Sequence, residues 1–445
     1  WTKLKNAAGN RTQPEIPLVV DSDGREWATS SEKAEAFARF FSKKCSVAGP
    51  DLVEADLPDP APSEAPPLRT IRFRPQAVRR LLARLDVSKA TGPDGISARV
   101  LKECAHELAE PLSKLFALCF RSGVQPRMWK TANVVPIHKR SSRSTLKNYR
   151  PVSLLCIISK VMETLVNRHI VNYFEDHHLL TSHQFGFRRG LGTSDALQAL
   201  QTAWASAVGC GGAARILAVD IAGAFDRVSH VGLLHKVRSL GIDGPLQRWL
   251  ASYLDTRSLQ CLVGGRTSSR YTTSAGVPQG SILGPTLFLA YVNDAPDVLA
   301  DGASLEAYAD DTTLYSLVTS QQTPTVAAQS LQVSVDRLHE WGRTWKVMFE
   351  PTKSQAMTAT LRRTGLDLPP LLFGGTLVPE TTTITLLGVK VDAKLTFSDH
   401  LRSVATRARQ RLGVLNRAAH ILTPAGRTTV YKAFVRPVME YAPLV

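Results

Sequence analysis

The chain has 445 residues, 44% of them hydrophobic and 21% charged, a composition typical of a globular protein of two or three domains or subdomains. No apolar run approaches the roughly 18–20 residues of a membrane-spanning helix, and no secretory signal pattern opens the chain, so we expect an intracellular protein, nuclear and cytoplasmic, without a membrane partner. The net charge of +16 predicts a polyanionic partner, most simply nucleic acid, although an inert basic surface would carry the same charge.

The six cysteines are scattered, without C-x-x-C pairs or histidines at zinc-finger spacing. Zinc is therefore disfavoured, and reduced thiols in a cytosolic or nuclear protein are expected. The chain begins at Trp1 on a polar stretch and stops at Val445 after an apolar one. We therefore expect it to be cut from a longer protein.

The first predicted element is a small helix within an N-terminal segment, residues 1–49. The stretch SSEKAEAFARFFSKK carries a cap followed by apolar residues at helical spacing, among them Ala34 and Phe37. Residues 50–67 are rich in proline and acidic residues and have no periodicity. They predict an extended linker.

After this linker the chain alternates helices and strands without repeats, which predicts a mixed body. Helices are predicted over PQAVRRLLARL, SARVLKECAHELAEPLSKLFALCFRSG and SKVMETLVNRHIVNYFEDHHL. Strands are predicted over ARILAVDI, LQCLVGG, SLEAYAD, TTLYSLV and TITLLGVKVD.

The last predicted helix, HLRSVATRARQRLGVLNRAAHIL, is amphipathic and rich in arginine. An arginine-rich outer face is commonly just solvated, but here it favours an element that contacts phosphates. The apolar stripe consists of Leu401, Val404, Ala408, Leu412 and Leu415, and the arginines are Arg402, Arg407, Arg409, Arg411 and Arg417.

Three acidic residues stand in strand-like surroundings. Asp310 and Asp311 are adjacent in EAYADDTTLY, where burial would cost desolvation energy, so they form either a surface turn or a metal-binding hairpin. The apolar run RILAV ends at Asp220, and a side chain at the end of such a strand points into the crevice in which these sheets bind ligands. If the two strands are antiparallel neighbours, the acids repel one another unless divalent cations neutralise them. Mg²⁺ prefers such oxygen ligands, and a pair of these ions is the apparatus of nucleotidyl transfer.

Several segments, in order, resemble the motifs of reverse transcriptases. LAVDIAGAFDRVSH, GVPQGSILGPTLFLAYVND and YADD are similar to palm motifs A, B and C. VSKATGPDGISARVLK, WKTANVVPIHKR, NYRPVSLLCIISKVMETLV and SHQFGFRRGLGTSDAL resemble the segments before the palm in non-LTR (LINE-type) retrotransposons. LHEWGRTWKVMFEPTKSQAM and TLLGVKVDAKLTFSDHL resemble motif D and the primer grip. The resemblance runs from roughly residue 70 to the C-terminus, and it is specific because several motifs agree in sequence and order.

This resemblance implies an α+β right-hand polymerase fold with fingers, a palm built on an antiparallel sheet and a helical thumb. The implied boundaries are 68–215 for the N-terminal extension and fingers, 216–395 for the palm and 396–445 for a truncated thumb. The implied activity is that of an RNA-directed DNA polymerase that extends a primer 3′-hydroxyl with dNTPs, as in target-primed reverse transcription. Its partners would be an RNA template and a DNA primer or target DNA, and its cofactors two Mg²⁺ ions, with Mn²⁺ as a substitute.

The resemblance also assigns catalytic roles. Asp220 and Asp310 would bind both metals with help from the Ile221 carbonyl, and Asp311 would be the auxiliary carboxylate. A solvated acidic turn is the alternative. Lys353, in EPTKSQ, occupies the motif D position credited with protonating pyrophosphate. The residue before the proline of that motif is usually Asn in relatives and is glutamate here.

A second set of residues would bind the incoming nucleotide. Phe225 occupies the position of the steric gate, which excludes a 2′-hydroxyl, although a ring there also suits plain core packing. Lys139 and Arg150 match the cations that hold the triphosphate, unless Arg140 replaces Lys139 or both are solvated surface charges. The remaining members of the set are Gly223, Ala224, Gln279 and Gly280.

Gln279 and Gly280, in PQGS, would contact the nucleotide and the template base. Their alternative is a simple loop into the helix predicted from Thr286 to Asn293. The thumb arginines would follow the duplex backbone, so binding would weaken steeply with salt. The residues implied to lie near template or primer are Gln184, Arg188, Arg189, Tyr308, Leu387, Gly388, Arg407 and Arg411.

The sequence has no acid and histidine cluster of an endonuclease, no C-terminal Cys-His knuckle and no RNase H-like acid set. We therefore expect the polymerase core of a longer or degraded element. The enzyme alternatives are a group II intron maturase-type polymerase and an RNA-dependent RNA polymerase, the latter disfavoured by Phe225. The alternative outside enzymes is a catalytically silent RNA-binding scaffold, which normally has damaged metal ligands, whereas all three acids are intact here.

Overall fold

The computed structural model describes residues 16–442, apart from residues 22, 48–51, 59–62, 140, 320–321, 364–365 and 367. The described residues mix helices and strands, as predicted. The chain divides into two compact units. Unit 1 comprises Trp1–Leu179 and Gly223–Tyr291, and unit 2 comprises Leu180–Ala222 and Val292–Val445. None of the helices in the described part of the chain is both long and apolar enough to cross a membrane.

The helices are, in chain order, α1 (Ser30–Lys44), α2 (Pro75–Ala83), α3 (Ala98–Glu103), α4 (Ala105–Ser122), α5 (Ile157–Asp176), α6 (Thr193–Gly209), α7 (His230–Ser239), α8 (Gly244–Leu254), α9 (Gly284–Val292), α10 (Pro324–Trp345), α11 (Ser398–Ala418), α12 (Pro424–Val430) and α13 (Arg436–Met439). The strands are β1 (Val19–Val20), β2 (Glu26–Trp27), β3 (Thr131–His138), β4 (Tyr149–Leu154), β5 (Ala213–Val219), β6 (Ser258–Val263), β7 (Arg266–Thr267), β8 (Tyr271–Thr272), β9 (Ala303–Tyr308), β10 (Asp311–Val318), β11 (Gln355–Thr360), β12 (Leu372–Phe373), β13 (Thr376–Leu377), β14 (Thr383–Leu386) and β15 (Val389–Asp392).

In unit 1, the predicted N-terminal helix forms as α1. Thr29 caps it, because its hydroxyl accepts the Glu32 N–H while the Glu32 carboxylate accepts the Thr29 N–H, a reciprocal capping box. Phe37 and Phe41 are fully buried and pack in one core with residues of β3, β4 and β6. The ring of Phe37 meets that of Tyr149 edge-on, with 4.9 Å between centroids. The N-terminal segment is therefore part of the core that covers this sheet.

The sheet of unit 1 has the order β4-β3-β6-β7, and β8 also pairs with β6. β3 and β4 are antiparallel, whereas β3 and β6 are parallel. Described residues of the predicted linker lie against α7. The Ser63 N–H donates to the Ser239 carbonyl, and His235 Nε2 lies 3.2 Å from the Pro58 carbonyl oxygen.

One helix prediction in unit 1 is wrong. The stretch predicted as a single helix over 97–123 forms two helices, α3 and α4. Cys104, with ψ of +24°, leaves the helical region between them and ends the first while starting the second. The apolar spacing is similar on both sides of this break, so periodicity alone could not locate it.

In unit 2, four antiparallel strands form a sheet of order β11-β5-β10-β9. The strands next to Asp220 and Asp310, β5 and β10, are therefore antiparallel neighbours, an arrangement with which the sequence was compatible. Successive side chains alternate between the two faces. Ile216 and Tyr315 pack in the core that includes Trp204 of α6, whereas Ala213 and Val318 pack with Ala327 of α10. The two helices therefore cover opposite faces of the sheet.

The C-terminal part of unit 2 differs from its prediction in two respects. TITLLGVKVD is a hairpin of β14 and β15 rather than one strand, and Leu387 and Gly388 turn with φ of +47° and +83°. On α11, Ala408 and Leu415 are buried, whereas Leu401 and Leu412 are 50% and 40% exposed. Only part of the predicted apolar stripe is therefore covered.

Candidate active site

The acidic residues of unit 2 meet at one end of its sheet. Asp220 follows the last residue of β5, and Asp311 is the first residue of β10. The register pairs Val219 with Thr312, so one further step places Asp311 opposite Asp220. The ladder of backbone hydrogen bonds between the two strands thus brings these carboxylates together.

Asp310 lies in the tight turn between β9 and β10. The pairing of Tyr308 with Asp311 leaves Ala309 and Asp310 as the two turn residues. Ala309 has φ of +59°, a left-handed conformation that costs a non-glycine residue roughly 1–2 kcal/mol. The backbone at Ala309 is therefore held by neighbouring groups.

An open recess of about 140 Å³ adjoins these residues. Five residues that the sequence singles out, from four different motifs, line this recess. Its lining includes Asp220, Tyr308, Asp311, Lys353 and Leu387.

The electrostatics of the recess are dominated by carboxylates. Loss of water around the Asp311 carboxyl, and then the charges of Asp310 and Asp220, raise its pKa above the ordinary aspartate value. Lys353 is the nearby cation, with its Nζ 3.8 Å from Asp220 Oδ2 and 3.3 Å from the carboxylate of Glu350. A further positive charge would relieve the repulsion among the acids.

These residues fit a hard divalent cation in type. In the part of the chain that the structure describes, no three acidic, histidine or cysteine side chains converge as a ready-made set of metal ligands. The backbone places the carboxylates together, but the side chains have to close further around an ion. Carboxylate oxygens are nevertheless the donors that Mg²⁺ prefers. Burial is the main cause of the raised pKa of Asp311, and such an ion would remove the repulsion from Asp310 and Asp220 that raises this pKa further.

The backbone after β5 is fixed by a neighbouring segment of unit 2. Ile221 forms an antiparallel bridge with Phe349, and the Glu350 N–H donates to the Asp220 carbonyl over 2.9 Å. The Asp220 N–H lies 3.3 Å from the Ser354 hydroxyl oxygen. The motif that carries Lys353 is thus hydrogen-bonded to the strand end that carries Asp220.

Gln184, which the resemblance places near the template, has its side chain against the Ala309 turn. It is only 4% exposed, and its Oε1 accepts the N–H groups of Ala309 and Gly186 at 2.8 Å each. Its Nε2 lies 3.4 Å from the Ala309 carbonyl oxygen. The side chain therefore contacts the backbone of the turn that carries Asp310.

The other predicted template and primer residues of unit 2 differ in their surroundings. Arg188 donates to the Thr181 carbonyl, while Arg189 is exposed. Leu387 and Gly388 form the tip of the β14–β15 hairpin, where the Tyr441 hydroxyl donates to the Leu387 carbonyl. The tip of this hairpin is therefore tied to the C-terminal segment.

Two arginines of α11 that were predicted to contact the duplex are not equivalent. Arg407 is exposed. Arg411 is half-buried, donates to the Phe434 carbonyl over 2.7 Å and lies 4.9 Å from the centre of the Phe434 ring. Arg411 therefore makes contacts within the protein that Arg407 does not make.

All seven predicted nucleotide-binding residues belong to unit 1. Arg150 on β4 pairs with Ile137, and the Lys139 N–H donates to the Asn148 carbonyl, so both cations stand at one end of the β3–β4 hairpin. Both side chains are exposed. Arg140, the alternative to Lys139, lies outside the described residues.

Phe225 packs against Phe288 of α9, with 4.8 Å between ring centroids and 30° between ring planes. It is nevertheless half-buried, so part of the side chain reaches solvent. Gly223, with φ of +63°, and Ala224 precede it. Both hypotheses for Phe225, core packing and a steric gate, are compatible with this environment.

Gln279 and Gly280 form a loop held against β4 before α9. Gln279 Nε2 donates to Asp226 Oδ1 over 2.7 Å, and the Ser153 N–H donates to the Gln279 carbonyl. A Cβ on Gly280 would lie 2.6 Å from the Ser153 carbonyl oxygen, and its φ of +119° also favours glycine. The expected close backbone approach at Gly280 is therefore present, and its partner is β4.

Sequence reasoning missed two residues of these networks. Asp226 receives the Gln279 amide, and Glu163 on α5 accepts the Ile282 N–H just before α9. Asp226 stands directly after Phe225, and an acid next to an apolar motif residue could have indicated a functional position. Glu163 lies inside a helix predicted from its apolar spacing, which gives no indication of a buried carboxylate.

Residues 137–391 match the family model described as reverse transcriptase (RNA-dependent DNA polymerase). A probable RNA-directed DNA polymerase from transposon X-element of Drosophila melanogaster is 31% identical over 99% of this chain and 49% of its own length. The RNA-directed DNA polymerase from mobile element jockey of the same organism is 29% identical over 97% of the chain and 48% of its own length. The chain spans about half the length of these curated relatives.

Proposed function

The chain belongs to the reverse transcriptase (RNA-dependent DNA polymerase) family, and we propose that it copies RNA into DNA as the polymerase core of a non-LTR (LINE-type) retrotransposon protein. The substrates are dNTPs and a primer that is paired with an RNA template. The primer 3′-hydroxyl attacks the dNTP, and pyrophosphate is released. The observation that carries the proposal is the β5–β10 register, which sets Asp220 opposite Asp311 beside an open recess.

We assign the right-hand layout to the elements as follows. The antiparallel sheet β11-β5-β10-β9 is the palm, the β3–β4 hairpin belongs to the fingers and α11 to the thumb. The support is the motif order along the chain and the position of the acids at the end of that sheet. A nuclear and cytoplasmic location stays a prediction.

Members of this family generally use divalent metal ions. Asp220, Asp310 and Asp311, with the Ile221 carbonyl, would hold two Mg²⁺ ions, for which Mn²⁺ can substitute. When bound, these ions activate the primer hydroxyl and neutralise the charge of the leaving pyrophosphate. The carboxylates supply the negative charge that retains the ions, and this is consistent with the raised pKa of Asp311.

The other residues bind and orient the nucleotide. Lys139 and Arg150, exposed at one hairpin end, bind the triphosphate, while the backbone at Gly223 and Ala224 approaches it. The half-buried ring of Phe225 leaves no room for a 2′-hydroxyl, which selects dNTPs. Gln279 and Gly280 contact the nucleotide and the template base, and the Asp226 hydrogen bond keeps Gln279 in place.

Lys353 is the general acid of the proposal. Its ammonium stands 3.8 Å from Asp220 Oδ2, at the recess, where it can give a proton to the leaving pyrophosphate. Glu350 holds the same ammonium from the other side. The duplex and the template are bound by exposed cations such as Arg189 and Arg407.

The test is primer extension by the 445-residue chain on poly(rA)·oligo(dT) with Mg²⁺ and dTTP. Wild type should extend the primer, and Asp220→Asn should lower the rate more than about 100-fold. This loss would exceed the roughly 10–100-fold loss that is typical when a residue hydrogen-bonded to a metal ligand is replaced. Asp301→Asn, an exposed acid of the same unit, is the matched control and should keep the rate. Replacing dTTP by UTP should give little product.

Two results would contradict this proposal. Extension with UTP as efficient as with dTTP would identify an RNA polymerase. Absence of extension, together with intact binding of the duplex, would identify an RNA-binding scaffold on the same fold.

A further inference from the structure

The turn that carries Asp310 depends on an unfavourable backbone conformation. Ala309 adopts φ of +59° and is almost completely buried. A non-glycine residue adopts this conformation only when its surroundings stabilise it. If Ala309 rotated to the right-handed region, the following carboxylates would point in other directions, because the turn sets their orientation.

The side-chain amide of Gln184 forms hydrogen bonds with the backbone of that turn. Its Oε1 accepts the Ala309 N–H, and its Nε2 reaches the Ala309 carbonyl oxygen, so both backbone polar groups of the residue meet one side chain. The amide orientation is defined, because Oε1 accepts two N–H groups, those of Ala309 and Gly186, which an NH₂ group could not do.

The segment around Gln184 is itself bound to β9. The Ala307 N–H donates to the His183 carbonyl and the Phe185 N–H donates to the Ala307 carbonyl, each over 2.8 Å. Gln184 and Ala307 thereby form a parallel bridge. At Gly186 the two backbones are so close that a Cβ would collide with the Ala309 nitrogen. The backbone before and after Gln184 is thus fixed against β9 and the turn, and this places the Gln184 amide at the turn.

We propose that Gln184 is a positioning residue for catalysis, which holds the Ala309–Asp310 turn so that Asp310 and Asp311 face the recess in the arrangement that binds cations. This rests on the proposed function. It replaces the expected template contact of Gln184 by a role under the catalytic turn, since the side chain is buried and its polar atoms are directed to the turn backbone.

The kinetic test compares Gln184→Met, which keeps the length of the side chain and removes its polar atoms, with Gln322→Met. The Gln322 amide donates to the Gly302 carbonyl near the other end of the β9–β10 pair, so it is a matched control. Gln184→Met should lower turnover in primer extension by about tenfold to 100-fold, because small displacements of reacting groups have effects of this size. The Mg²⁺ concentration for half-maximal rate should rise several-fold, while KM for dTTP and duplex affinity change little. Gln322→Met should resemble wild type in all four quantities.

A structural readout separates this inference from the proposed function. Hydrogen exchange at the Ala309 amide should accelerate in Gln184→Met and not in Gln322→Met, whether or not the protein extends primers. Ala309→Gly in the Gln184→Met background should recover part of the turnover, because glycine adopts positive φ without strain. This double variant also tests the idea if Gln184→Met alone folds poorly.

Unchanged Ala309 exchange in Gln184→Met, or unchanged turnover and Mg²⁺ dependence, would overturn the positioning role while leaving the polymerase assignment intact. A wild-type protein that fails to extend primers, with Ala309 exchange still dependent on Gln184, would instead count against the proposed function.

Discussion

Asp311 in unit 2 and Glu163 in unit 1 are both carboxyls whose pKa is raised chiefly by burial. Their surroundings differ. The next contributions at Asp311 come from Asp310 and Asp220, which raise its pKa further. Glu163 is fully buried among donors, accepting the Ile282 N–H and the Ser159 hydroxyl, and these lower its pKa in part. A raised pKa therefore indicates a functional acid only where the neighbours leave the charge uncompensated and ligands have access.

The largest expected effect is that of Asp311→Asn on catalysis. We expect primer extension to fall more than about 100-fold, because a carboxylate of the cation-binding set is lost. The raised pKa means that the ionised Asp311 carboxyl destabilises the folded state at neutral pH, so the thermal midpoint should stay equal or rise. Thermal unfolding and primer extension on the same samples check both statements. A lowered midpoint would mean that the ionised Asp311 carboxyl stabilises the folded state, contrary to its raised pKa.

Phe225→Val should have the next largest effect, on sugar selectivity. Removing the ring should lower the preference for dTTP over UTP by roughly 10–100-fold, the range for shape discrimination by a single side chain. Phe288→Leu is the matched control, since it alters the stacking partner of Phe225 and leaves the ring itself. The ratio of kcat/KM for the two nucleotides is the measurement. An equal loss of selectivity in both variants would favour the packing hypothesis for Phe225.

Variants of Glu163 test the opposite case, a buried carboxyl with a structural role. Glu163→Leu leaves the Ile282 N–H and the Ser159 hydroxyl without their acceptor, which should lower the free energy of unfolding by about 1–3 kcal/mol. Glu163→Gln keeps an acceptor and removes the charge. Chemical denaturation of both variants measures the difference, with Glu107→Gln, an exposed acid on α4, as the control.

The direction of the pKa shift of Glu163 determines how the stability of these variants depends on pH. Because the folded-state pKa of Glu163 is raised, its stabilising contribution is complete below the ordinary glutamate pKa and is lost as the pH rises through the folded value. Glu163→Gln should therefore gain stability relative to wild type as the pH rises from about pH 5, just above the ordinary glutamate pKa, to neutral pH. A constant difference across this range would contradict the raised pKa.

The sequence predicted the elements that position Asp220 and Asp310 because each strand is an apolar run that ends at an acid. The sequence was only compatible with antiparallel neighbours, and the register establishes this arrangement. Sequence could not reveal the role of Gln184, because a polar residue in a loop gives no periodic signal and its contacts to Ala309 depend on long-range folding. The hydrogen bond from Gln279 to Asp226 was missed for the same reason.

The exposed part of α11 gave the least reliable prediction, because helical periodicity assigns residues to a face but does not say what covers it. Leu401 and Leu412 share the apolar stripe with Ala408, yet only Ala408 is buried. The arginines show the same limit. Arg407 and Arg411 are one turn apart and were given the same role, but Arg411 donates to the Phe434 carbonyl whereas Arg407 is exposed.

This pair of arginines yields the smallest predicted effect. Arg407→Ala should weaken binding to poly(rA)·oligo(dT) and reduce the slope of log affinity against log salt by about 1, because one phosphate contact is lost. Arg411→Ala should leave that slope unchanged and lower the free energy of unfolding by about 0.5–1.5 kcal/mol, since it loses a hydrogen bond and a cation–π contact to Phe434. Binding titrations at several salt concentrations, with denaturation of the same variants, separate the two. If Arg411→Ala reduced the salt slope as much as Arg407→Ala, the side chain would have to leave Phe434 when the duplex binds, and α11 would contact nucleic acid along both of these positions.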